Sequence, residues 1–246
     1  MRYLLISDLH SNIEAMRVVI ADATARGYDK AVCMGDLVGY GASPNDVVDM
    51  VRELDPAIIR GNHDKVIAGV DTGEQFNFLA LQSCHWTQSE LSEDNLAYLR
   101  SLPLGPKSVD GEFWIAHGTP LDEDAYILND FDAMEVFRDF PESICFFGHS
   151  HIPTVFAVDE SDGLYLMAPM GDEERIALKP GNRYLINCGS VGQPRDRNPK
   201  AAYGIYDSSS RILHLFRVAY AIEETQRKIL DTELPRFLAE RLSYGA

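Results

Sequence analysis

Histidine is scarce and unevenly placed in this chain: of seven, five stand just past the ends of short apolar runs. YLLIS leads into Asp8-Leu9-His10, and KAVCM into Gly35-Asp36. AIIR leads into Gly61-Asn62-His63-Asp64, EFWIA into His117-Gly118, and ICFFG into His149-Ser150-His151. Imidazole, carboxylate and carboxamide together make a mixed nitrogen and oxygen donor set, which suits Mn, Fe, Zn, Co or Ni better than Ca or a soft metal. No thiolate joins them. Cys33, Cys145 and Cys188 lie inside apolar runs, none of the four cysteines forms a CxxC pair, and they read as reduced, buried small hydrophobes. Asp8 and His10 are two positions apart, as are His149 and His151, and extended backbone turns such a pair to one side.

Side chains this far apart in sequence need a framework that gathers strand ends. The first sixty residues supply one. YLLIS is followed by a helical pattern with Ile13, Met16, Val19 and Ile20 in phase and Gly27 as its stop. KAVCM precedes a second helix that opens on Ser43 and Pro44, and AIIR closes the series. Such βαβ units predict a mostly parallel sheet, whose ligands collect at the carboxyl edge. Residues 66–102 read as two helices with no strand between them, a helical insertion over the strand ends or, second to that, a long crossover connection. FDAMEVFRDF is a further helical pattern between EFWIA and ICFFG. After Pro153, TVFAVD, LYLMA, RIALK, RYLIN, AYGIYD and ILHLFRV follow one another across short turns, which predicts a largely antiparallel meander. A helix from about Ile222 to Leu230 follows. No repeat or linker interrupts the chain, so the expectation is one domain over 1–246 with two sheets.

Acidic residues outnumber basic ones by 38 to 22, a formal charge of −16. Such a surface repels nucleic-acid backbones and anionic lipid, which argues against a broad electrostatic nucleic-acid binder. No apolar run approaches the ~20 residues that cross a bilayer. The opening MRYLLISDLHSN has too short an apolar stretch for a secretory signal. A cytoplasmic protein with no membrane partner is therefore expected, its oligomeric state left open.

Taken in order, DLH, GDLVGYG, GNHD, HG and GHSH resemble the five-part signature of the calcineurin-like metallophosphoesterases. NCGSVGQPR (187–195) is similar to the Gly-Ser turn of bacterial members with a smaller, phosphodiesterase-like core. The resemblance covers essentially the whole chain. It implies an α/β fold, a four-layer αββα sandwich of two mixed sheets flanked by helices, with two divalent metal ions between the strand ends. Carried across motif by motif, it implies one ion on Asp8, His10, Asp36 and His151. A second is implied on Asp36, Asn62, His117 and His149, with Asp36 bridging. Two divalent ions outweigh the two anionic ligands, Asp8 and Asp36, so a −16 protein would hold a local positive pocket suited to phosphate. The implied reaction is hydrolysis of a phosphate ester by a hydroxide shared between the ions. His63 is then the candidate general acid, oriented by Asp64. Asn62, Arg60 and Arg195 are candidates to bind the substrate phosphate. Relatives that dephosphorylate proteins carry an Asp-Arg-Gly after the second motif, where this chain has VGYG. A small phosphorylated substrate, a phosphodiester or small nucleotide phosphate, is thus expected ahead of a protein serine/threonine phosphatase reading. A non-catalytic scaffold of the same fold is the rival class, and the match at seven ligand positions and at His63 argues against it. A nuclease is disfavoured by charge.

Overall fold

In the computed structural model, which describes residues 1–159, 163–169 and 171–246, the alternation of the first sixty residues is realised. β1 (Arg2–Ile6), α1 (Ile13–Arg26), β2 (Lys30–Cys33), α2 (Pro44–Leu54) and β3 (Ala57–Ile58) follow in turn. Asn12 caps α1 by accepting from the Ala15 N–H at 3.1 Å, and Pro44 occupies the first turn of α2, where its missing N–H is not needed. Next come α3 (Asn62–Ile67), α4 (Phe78–Glu90) and α5 (Glu93–Ser101), with no strand between them. β4 (Lys107–Val109), β5 (Phe113–Ile115), α6 (Asp130–Asp139) and β6 (Ile144–Phe147) complete the first half. β7 (Thr154–Asp159), β8 (Gly163–Met167), β9 (Glu173–Ala177), β10 (Arg183–Asn187), β11 (Ala201–Asp207) and β12 (Ile212–Val218) lead to α7 (Ile222–Leu230), α8 (Arg236–Glu240) and a short 3₁₀ turn, Arg241–Tyr244.

Two six-stranded mixed sheets result, flanked by helices. The first runs β3-β2-β1-β11-β12-β9 and the second β4-β5-β6-β10-β7-β8. The late strands therefore do not form one meander, as their short turns predict. β9, β11 and β12 join the first sheet, while β7, β8 and β10 join the second, where β10 runs parallel to β6. Period-two alternation marks a strand without naming its partner, so the turn lengths alone misplace them.

The pleat sorts side chains into layers. Tyr3, Leu5, Val32 and Met34 point inward to meet Phe113, Ile115, Ile144 and Phe146, forming the core between the sheets. Tyr3 and Phe146 each meet the Phe113 ring edge-on, at centroid distances of 4.9 and 5.1 Å. On the outer face of the first sheet, Leu4, Ile6 and Cys33 pack with α1, α2 and α5. On the outer face of the second, Cys145 and Phe147 pack under Ala133, Val136 and Phe137 of α6. All four cysteines are free and buried. Among the described residues no helix is long and apolar enough to cross a membrane.

Candidate metal centre

The carboxyl ends of β1, β2 and β3 belong to one sheet and those of β5 and β6 to the other, and the loops leaving them meet across the sandwich. Backbone bonds hold each set together. The amides of Asp8 and His10 donate to the carbonyls of Gly35 and Asp36, both at 3.0 Å, and the Gly148 amide donates to the His117 carbonyl at 2.8 Å. Among the contacts that join the sets, the His149 amide donates to the Asp8 carboxylate at 3.0 Å. Gly61 is required by closeness, since a Cβ there would collide with the Asp36 carboxylate. Asp8, His10, Asp36, His149 and His151 all adopt positive φ, between 45° and 65°. Non-glycine residues in this region each cost about 1–3 kcal/mol, strain that concentrates at functional sites.

The structure brings six expected residues into two groups. Asp8, His10, Asp36 and His151 place donor atoms within 4.8 Å of one another, and so do Asp36, His117 and His149. Asp36 is common to both. Asn62 joins the second group, its Oδ1 3.1 Å from His117 Nε2. All seven side chains are buried.

The ring nitrogens test whether this set fits a metal. His10 Nδ1 lies 3.1 Å from the Val38 carbonyl, and His151 Nδ1 lies 2.6 Å from that of Gln193. Each Nδ1 must carry a hydrogen to make its bond. In the neutral rings both Nε2 atoms are then bare lone pairs, and they face each other at 3.1 Å. Such an arrangement is repulsive unless a cation lies between them. His117 is held the same way, with Nδ1 2.7 Å from the Met34 carbonyl and Nε2 3.4 Å from Asp36 Oδ2. His149 is turned over: its Nε2 bonds the Asp124 carbonyl at 3.1 Å, leaving Nδ1 for the cluster. Carbonyl bonds of this kind fix the tautomer and aim of metal-binding imidazoles.

The electrostatics agree. Burial holds His10 and His151 well below the ordinary histidine range and His149 down at about 3, so their lone pairs are available. Burial works against ionised Asp36, but His117, His63 and His10 outweigh it and keep the carboxylate charged. Burial and neighbouring Asp36 raise Asp8 to about 6. His117 rises to about 10, because Asp36 and Asp8 overcome its burial. Without metal this one imidazolium supplies the positive charge that the two carboxylates demand.

The other expected site residues fall differently. His63 lines the cavity beside the groups, packed against Tyr40 and Phe76 at centroid distances of 4.4 and 4.7 Å. Asp64 does not orient it; its carboxylate accepts from the amides of Leu37, Val38 and Gly61 and so ties the second and third motifs together. The group on His63 Nδ1 is the Cys84 thiol, 3.5 Å away. Burial raises that thiol's pKa, so it faces the ring as a thiol rather than a thiolate. Arg60 is engaged by Glu123 through both Nε and Nη2, at 3.1 and 2.9 Å. Arg195 lines the cavity, its Nη2 donating to Gln193 Oε1 at 2.8 Å.

The Gly-Ser turn braces both sets of loops. Asn187 Nδ2 donates to the Gly148 carbonyl at 2.6 Å and to Ser150 Oγ at 3.0 Å, and Ser190 Oγ donates to the Asp8 carbonyl at 2.8 Å. Sequence reasoning missed the aromatic walls. Tyr126 stacks on His149 with centroids 3.9 Å apart, and Tyr40 leans on His10 at 4.7 Å. Tyr40 had a visible signal, a large residue inside the glycine-flanked GYG after the second motif.

Comparison with known proteins gives a consistent picture. The profile described as the calcineurin-like phosphoesterase superfamily domain matches residues 1–211. An uncharacterised protein of Methanocaldococcus jannaschii is 38% identical over 245 residues, covering 98% of this chain and 96% of its own. The crystal structure of a metallophosphoesterase from Sphaerobacter thermophilus is 36% identical, with a TM-score of 0.87 over 100% of this chain and 99% of that one. A hypothetical protein from Pyrococcus horikoshii shares the fold at 20% identity, with a TM-score of 0.78 over 100% and 98% of the two chains.

Proposed function

Because the chain belongs to the calcineurin-like phosphoesterase superfamily, we propose that it hydrolyses phosphate esters at a centre of two divalent ions. Metal-dependent phosphoester hydrolysis is the activity that membership supports. Asp8, His10, Asp36 and His151 would hold one ion, and Asp36, Asn62, His117 and His149 the other. When bound, the ions supply a water made reactive near neutral pH and neutralise charge on the phosphoryl oxygens. The observation that carries this reading is the pair of facing, hydrogen-free Nε2 atoms of His10 and His151, with Asp36 shared between the two groups.

The chain's own groups do the rest. Arg195 faces the cavity without a carboxylate on its fork, and it binds the phosphoryl oxygens. Arg60 instead braces the loop that carries Glu123. His63 is neutral at pH 7, since burial and the positive Arg195 and His117 push it down to about 4 against the pull of Asp36. An anionic phosphate beside it would raise it, so that the protonated ring gives its proton to the leaving oxygen as the bond to phosphorus breaks and is left neutral. Tyr40, Phe76 and Tyr126 wall a cavity of about 180 Å³. Its size and flat sides favour a phosphodiester or small nucleotide phosphate over a phosphoprotein.

Metal analysis combined with hydrolysis of bis-p-nitrophenyl phosphate and p-nitrophenyl phosphate, with and without Mn, tests the reading. Two ions per chain and Mn-dependent turnover, faster on the diester, are expected. A chain that binds both ions but turns over neither ester would be the non-catalytic scaffold, and a chain that saturates with one ion would overturn the two-metal centre.

A further inference from the structure

A second cavity adjoins the candidate centre, and the reaction as proposed leaves it unused. Tyr40 and Asn77 line both the inner cavity and this outer one, whose volume is about 420 Å³. Phe78 and Leu79 of α4 form one remaining wall, and Phe237, Leu238 and Arg241 of the C-terminal segment form the other. Two features of it point to a ligand. Phe78 is 78% exposed and Phe237 51% exposed, so two aromatic faces stand at the rim of a concave surface. The second feature is a pair of arginines near one tyrosine. Arg195 Cζ lies 5.7 Å from the Tyr40 ring centre, and Arg241 lines the outer cavity together with the same tyrosine.

Among the described residues, half of the other fourteen arginines are committed to acids. Arg26, Arg52, Arg60, Arg138, Arg217, Arg227 and Arg236 all pair with carboxylates. Among the described residues neither Arg195 nor Arg241 has an Asp or Glu partner. Arg195 donates to Gln193 Oε1, while Arg241 Nε donates to an oxygen of Ala246, the last residue, with which an incoming anion would compete, and its guanidinium lies 5.5 Å over the Phe237 ring. Burial and the like charge of Arg195 together lower Arg241 to about 10. In a chain with a formal charge of −16, two cations without an Asp or Glu partner, each lining a cavity that Tyr40 also lines, suit an incoming anion.

We propose that the outer cavity is a subsite for the leaving portion of the substrate and that this portion is a nucleotide, its base against Phe78 and Phe237 and a second phosphate between Arg195 and Arg241. The assignment rests on the hydrolase reading of the inner cavity and deepens it. A planar base matches two exposed aromatic faces, and a phosphate matches paired guanidinium forks. A peptide leaving group offers neither. Phe237, Leu238 and Arg241 lie beyond residue 211, where the match to the superfamily domain stops, so this wall is built by a segment outside the matched core. That segment is firmly seated. Thr225 Oγ1 bonds Asn12 Oδ1 at 3.1 Å, Lys228 pairs with buried Glu14, and Leu238 packs with Tyr40 and Ile229. Its position is thereby tied to α1 and to the loop bearing His10.

Calorimetric titration of adenosine diphosphate, adenosine monophosphate and pyrophosphate into metal-free protein tests the subsite without reference to turnover. The diphosphate should bind tightest of the three. Arg241→Ala should weaken it about ten-fold, the loss expected for one charge-assisted contact, and should weaken the monophosphate less. Phe78→Ala, at a side chain exposed enough to leave folding intact, should weaken both nucleotides but not pyrophosphate. Equal affinity for all three ligands, or nucleotide affinities untouched by either substitution, would overturn the proposal. Mn-dependent diester hydrolysis measured in parallel separates the two ideas. Turnover without nucleotide binding removes the subsite alone, whereas nucleotide binding governed by Phe78 and Arg241 without turnover keeps the nucleotide site and removes the hydrolase.

Discussion

His63 stands next to a carboxylate in sequence yet is held by a thiol in space. Removing its ring while keeping its bulk isolates its role. His63→Gln should lower turnover by about 100-fold or more, the usual reach of a proton-transferring group, with metal content unchanged. A variant that loses its metals would instead make His63 part of the binding framework. Cys84→Ala should cost a smaller factor, about five-fold, because it removes one weak hydrogen bond that holds the ring in place. Kinetics and metal analysis of the pair check both statements. At this scale the donors were legible, since carboxylates and imidazoles following apolar runs have few other reasons to be there. Cys84 and Tyr126 were not, and Tyr40 showed only as the large residue of GYG. A thiol or aromatic ring in a half-apolar stretch looks the same whether it fills the core or flanks a reactive group.

Elements carry those side chains to their places, and two of the supports can be tested. Asn187 is fully buried at the end of β10; it donates to the Gly148 carbonyl and Ser150 Oγ and accepts from the Gly189 amide at 2.7 Å. Asn187→Ala leaves these groups without partners in the interior. It should destabilise the protein by about 2–3 kcal/mol in denaturant unfolding and weaken metal binding as well. Glu123 holds the loop after β5 against Arg60 and against Lys65 of α3. Burial alone would raise its pKa, but the bonds from Arg60 and Lys65 prevail and lower it. A carboxyl depressed on folding stabilises above its unfolded value of about 4.3 and loses that contribution as pH falls through its lower folded value. Glu123→Gln should therefore be less stable than the parent at pH 7, and the gap should close in acid; a gap constant with pH would remove the ion pairs from the account. The strands and helices of the first half were readable from period and punctuation. The division of the late strands between sheets was not, because β8 and β9 are near in sequence yet pair with β7 and β12, respectively.

For the molecule as a whole, the strongest linkage is between folding and metal. Lone pairs and carboxylates crowded into a buried centre oppose folding until a cation joins them, and an ion bound only by the folded state stabilises it. Saturating Mn should raise the melting temperature by about 5–10 °C per ion over protein kept in chelator, from about 2.7 kcal/mol at a hundredfold excess over the dissociation constant. No shift on adding Mn would count against a built site. The two-sheet design has one more consequence. Asp8, His10, Asp36 and Asn62 ride on the first sheet, and His117, His149 and His151 ride on the second, so either proposed ion would work as a rivet through two plates. The Tyr3–Phe113–Phe146 stack between those plates then sets the alignment of the rivet holes, although it touches neither. A defect there would slip the plates by a fraction of an ångström and register first as loosened cations, well before the sandwich itself came apart.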